Sequence, residues 1–97
     1  MKTRGKFEVV VAFEIIEHVE DFVGIWDKLE KLVKKEGYLI LSVPHTSIPV
    51  SVSKWHYRHY QRGEVKKFVE QRGFEIERLE TPRFSNGLAV VCIAKKK

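Results

Sequence analysis

Glu14, Glu17 and His18 lie within five residues of one another in the stretch VVVAFEIIEHVED, residues 9–21. On a turn of helix they occupy positions i, i+3 and i+4 and so share one face. Two carboxylates and an imidazole are a donor set suited to a hard or borderline divalent cation such as Mg²⁺, Mn²⁺ or Zn²⁺. Such a cluster needs a rigid element before it and another after it.

The flanking sequence supplies both. FEVVVAF, Phe7–Phe13, is β-branched and nearly all apolar, as a strand buried on both faces of a parallel sheet should be. Asp21 can cap a helix whose Phe22, Trp26, Leu29, Leu32 and Val33 form one apolar stripe, with Gly37 placed to stop it. YLILSVP, residues 38–44, reads as a second buried strand ended by Pro44. Residues 45–61 are irregular and include KWHYRHY. Residues 62–72 predict a short helix presenting Val65, Phe68 and Val69 and closed by Gly73. Phe74–Glu80 alternates apolar and charged, as a strand with one wet face does. A loop holding Pro82, Asn86 and Gly87 leads to a last apolar strand over residues 88–94. The order strand, helix, strand, helix, strand, strand predicts an α/β domain with two main helices and about four strands. Its sheet is parallel and closes with an antiparallel hairpin.

At 97 residues and 43% hydrophobic, the chain supports one modest core and a single domain over residues 1–97. Cys92 and Trp26 fall where core packing uses them, while Trp55, Tyr57 and Tyr60 lie in the irregular segment, able to stack on a ligand or pack beneath the loop. No apolar run approaches the roughly 20 residues that span a bilayer, and no signal-peptide core precedes the first strand. One cysteine permits no internal disulfide, which suits the cytoplasm. The net charge of +5 and pI near 9.4 admit nucleic-acid binding, although no RGG, RNP or zinc-knuckle pattern accompanies them. The terminal lysines read as a solvated tail. One Asn, two Gln and a Lys/Glu-rich composition suit a thermophile.

Three stretches in this order carry a resemblance: FEVVVAFEIIEHVED, LVKKEGYLILSVP and HYQRGEVKKFVEQRGFEIERLE. Together they resemble the C-terminal half of class I S-adenosylmethionine-dependent methyltransferases, near the ubiquinone-biosynthesis and small-RNA 2′-O-methyltransferase branch. The resemblance implies a truncated Rossmann-like sheet in which these strands are the fourth to seventh of seven. Their order in space would be fourth, fifth, seventh, sixth, with the seventh antiparallel. It places Phe13 and Glu14 against S-adenosylmethionine. It also implies a metal held by Glu14, Glu17, His18 and a later histidine, His56, with His59 as the alternative. His18 and His56 are then the catalytic candidates, through the metal or as general base. The plainer alternative keeps the Glu-x-x-Glu-His element as a structural turn that shapes the cofactor pocket and caps the next helix.

Family members hold the cofactor mainly through a glycine-rich turn in their first half. No two of the six glycines here are spaced as G-x-G. The chain is therefore expected to be incomplete and inactive by itself. A sheet cut at this point leaves Phe7–Phe13 with an open edge, which invites a second copy or a partner chain bearing the missing half. A split methyltransferase, a dimeric remnant and a basic metal- or nucleic-acid-binding module all remain open. The acceptor is not legible.

Overall fold

The computed structural model describes residues 6–52, 54–84 and 87–97, so Asn86 of the expected loop lies outside the described residues. Strand β1, Phe7–Phe13, runs parallel to β2, Val33–Pro44, with Val9 beside Tyr38 and Ala12 beside Leu41. Helix α1, Phe22–Leu32, joins them. Helix α2, Arg62–Glu70, precedes β3, Phe74–Glu80. A two-residue strand β4, Arg83–Phe84, and the long β5, Gly87–Lys96, complete the chain. The sheet order is β1-β2-β5-β3, with β5 antiparallel to both neighbours and β4 paired to its start. This is the expected α/β architecture, in the expected strand order.

Local signals explain most of the elements. The Asp21 carboxylate accepts from Gly24 N at 2.9 Å, closing the first turn of α1. Gln61 N donates to Glu64 Oε1 at 2.8 Å at the start of α2, and Gly73 leaves the helix at φ 86°.

Three expectations need correction. Helix α1 ends at Leu32, and Val33 already starts β2. Gly37 does not stop a helix; it lies inside the strand, where an added Cβ would stand 2.8 Å from Glu8 O. Lys96 supplies the cap instead. Its ammonium donates to Glu30 O at 2.7 Å and to Val33 O at 3.0 Å, and pairs with the Glu30 carboxylate at 2.8 Å. Lys95 and Lys96 are thus the end of β5, not a solvated tail.

The third correction concerns burial. Val10 and Ala12 share a face with Leu39, Leu41, Val43, Val90, Cys92 and Ala94, and both helices cover that face. Trp26 of α1 stacks on Phe68 of α2 at 5.2 Å and meets Tyr60 edge-on at 5.7 Å. Burial pushes the Cys92 thiol up to about 12, which fits an inert core residue. The opposite face carries Val9, Val11 and Phe13, each about half exposed, beside the half-buried Tyr38, Ile40, Val91 and Ile93. The first two strands are therefore buried on one face, because both helices land on the same side. Among the described residues, β1 pairs only with β2, and no helix is long and apolar enough to cross a membrane.

Candidate functional site

The site begins where β1 stops. Glu14 takes a left-handed backbone, φ 55°, which turns the chain sharply off the strand end. Its N–H donates to Ser42 O at 3.0 Å, and its Oε2 accepts from Ser42 Oγ at 3.1 Å. Glu14 is thereby tied to β2. A single 3₁₀ turn follows, Ile16–His18, with Ile16 and Glu17 buried beneath it.

Glu17 is the unusual group. Its side chain is 1% exposed, and neither carboxylate oxygen has a partner at hydrogen-bonding geometry. Burial raises its pKa to about 7, and the nearby Glu14 carboxylate adds to the effect, while the residue's own backbone N–H and His18 oppose it. A buried carboxyl without a hydrogen-bond partner is costly. Such a group is kept where something else meets it or where it does chemistry.

The irregular segment after β2 brings the rest. Tyr57 N donates to Glu17 O at 2.8 Å, and His18 Nδ1 donates to Trp55 O at 3.1 Å, so the loop is pinned directly over the turn. His56 then meets the His18 ring edge to face at 4.7 Å. One donor atom from each of Glu17, His18 and His56 lies within 4.8 Å of the others, and His18 Nε2 stands 3.8 Å from Glu17 Oε2. His56 is held below the ordinary imidazole value, first by burial and then by the neighbouring His59 and His18. The group runs from a buried carboxylate to a half-exposed imidazole, so a small ion can reach it from solvent.

The structure assembles most of the expected cluster, with one change. Glu17, His18 and His56 come together; Glu14 lies beside them but outside the 4.8 Å group. The helical spacing fails at Glu14 because the turn starts only after it, at Ile16. His59, read from sequence as a stand-in for His56, is instead its buried partner: His56 Nδ1 and His59 Nε2 are 2.7 Å apart. The three-residue spacing HYRH was the only sequence signal for that contact. Trp55 and Tyr57 stand exposed at the loop surface, while Tyr60 is fully buried in the core, where burial raises its pKa.

A family model described as a methyltransferase domain matches residues 1–79. The chain belongs to the methyltransferase family. No curated protein matches it. Solved methyltransferases share its fold. The N-methyltransferase NodS from Bradyrhizobium japonicum WM9, in complex with S-adenosylhomocysteine, superposes with a TM-score of 0.78 at 13% identity, over 99% of this chain and 49% of that one. Magnesium protoporphyrin IX methyltransferase from Synechocystis PCC 6803, with bound S-adenosylmethionine, gives 0.73 at 19% identity, over 99% and 42%. A putative methyltransferase from Bacillus halodurans C-125 gives 0.77 at 14% identity, over 98% and 72%. The methyltransferase chain described here therefore spans about half the length of the first two.

Within this methyltransferase domain, Phe13 and Glu14 stand at the C-terminal end of β1, beside the strand's unpaired side, and both are exposed. They offer one wall to a cofactor and no enclosure. Glu17, His18 and His56 are the described residues that could hold a cation: they join a buried carboxylate without hydrogen-bond partners to two imidazoles that each have one nitrogen already occupied.

Proposed function

We propose that this domain is the acceptor-side portion of an S-adenosylmethionine-dependent methyltransferase, and that Glu17, His18 and His56 bind a divalent cation in it. The observation that carries the reading is the buried Glu17 carboxylate, without a hydrogen-bond partner at either oxygen and grouped with two imidazoles. With two nitrogens in the donor set, a borderline ion such as Zn²⁺ suits it better than Mg²⁺. A cation on these ligands supplies Lewis acidity and orientation to an acceptor hydroxyl. That chemistry agrees with the resemblance to the small-RNA 2′-O-methyltransferase branch. Glu14, tied to Ser42, shapes the rim and adds negative charge. Titrating Zn²⁺ into the metal-free chain tests the reading: one ion per chain supports it, and no binding by the folded chain removes it.

The second part of the proposal concerns completion. Phe13 and Glu14 face outward beside an edge strand, and Val9 and Val11 are about half exposed on the uncovered face. Such an edge and face favour association with a second copy or with a chain bearing the glycine-rich turn. We place cofactor binding in the completed assembly, in the cytoplasm. S-Adenosylhomocysteine titrated into this chain alone is expected to give no heat of binding. Micromolar binding by the isolated chain would contradict the proposal.

A further inference from the structure

The assignment of protons on two histidines can be read from a single carbonyl. His59 is 4% exposed, and its Nδ1 lies 2.6 Å from Ile48 O. A carbonyl oxygen only accepts, so His59 Nδ1 carries the proton. In the neutral ring its Nε2 is then an acceptor. That acceptor lies 2.7 Å from His56 Nδ1, which must therefore be the donor. His56 is left with an unprotonated Nε2. The same logic applies to His18, whose Nδ1 donates to Trp55 O and whose Nε2 lies 3.8 Å from the Glu17 carboxylate. Both imidazoles of the group thus keep a lone pair on Nε2, and in both the cause is a backbone carbonyl of residues 45–61, reached directly by His18 and through His59 by His56.

We infer that His59 is a positioning residue: by holding the Nδ1 proton of His56 it keeps the Nε2 lone pair of His56 available to the Glu17–His18 centre. The role rests on the reading of that centre as a cation site, because a free lone pair matters where something must be bound. A carbonyl–imidazole–imidazole chain does for His56 what a carboxylate or carbonyl does for a metal-bound histidine elsewhere: it fixes tautomer and ring orientation together. Among the described residues, His59 bridges Ile48 O and His56 Nδ1. A leucine would fill the space without linking Ile48 O to His56.

The test uses ring ¹⁵N NMR of the full chain without metal, at alkaline pH where neutral imidazole dominates. Wild type is expected to show His56 and His59 both protonated on Nδ1. His59→Leu should return His56 to the Nε2–H form that free imidazole prefers. His59→Gln, whose amide NH₂ can donate to Ile48 O while its carbonyl oxygen accepts from His56, should restore Nδ1–H. Zn²⁺ affinity should fall about 10–100-fold in His59→Leu, the usual loss when an outer partner of a ligand is removed, and recover in His59→Gln. A wild-type His56 protonated on Nε2 overturns the inference whatever the metal does, and needs no variant to fold. Nδ1–H in wild type with no Zn²⁺ binding upholds the positioning of His56 and defeats the cation reading instead.

Discussion

Glu17 decides what the turn is for. A carboxyl buried without a hydrogen-bond partner has its proton held by the fold, so its titration should be visible in the metal-free chain. The folded chain holds this proton more tightly than the unfolded chain does, since its pKa rises from 4.5 to about 7. The stabilising increment is therefore complete below pH 4.5 and disappears as pH climbs through about 7. It amounts to at most about 3 kcal/mol. In EDTA, urea unfolding of the wild type should weaken across that window, while Glu17→Gln should lose that weakening and keep only the opposite slope from His56, whose proton is held less tightly in the fold. Parallel curves for the two chains would mean that Glu17 is hydrated or paired in solution. The residue types and their proximity were legible in the sequence. The left-handed Glu14 that removes it from the group was not, because a single backbone angle of a non-glycine residue leaves no periodic trace.

At the scale of elements, local chemistry predicted what local chemistry makes. The bounds of β1 and β3 follow from apolar runs and alternation, and Asp21 caps α1 as its position implied. The end of α1 was illegible because its cap, Lys96, is 63 residues from Val33. Replacing Lys96 with Met should cost about 2 kcal/mol, since two carbonyls lose a charged donor whose side chain is only 12% exposed. Faster amide exchange should be confined to the last turn of α1 and the start of β2. An unchanged stability would return Lys96 to the solvated tail. Gly37→Ala should cost about 1–3 kcal/mol for a different reason, the 2.8 Å approach of its Cβ to Glu8 O, and should loosen the β1–β2 pairing.

For the whole molecule, the apolar content of β1 said that it would be covered, but not by what. Both helices occupy one side of the sheet, and the other side exposes Val9, Val11 and Phe13. Light scattering should find the chain larger than a monomer at micromolar concentration, and Val11→Lys should reduce the mass without unfolding it, since charge on an exposed edge strand blocks pairing. A wild-type monomer would leave the completing partner as the sole occupant of that edge. The proposed cation site joins the turn after β1 to the loop after β2, so an ion bound there would also tie together two segments distant in sequence. The most direct test of the account is calorimetric titration of Zn²⁺ into the metal-free wild type and into Glu17→Gln. We predict one ion per chain in the wild type. In Glu17→Gln the affinity should drop by more than the about 10–100-fold that losing an outer partner costs. Equal binding by the two chains, or none by a folded wild type, would contradict a metal centre at Glu17, His18 and His56.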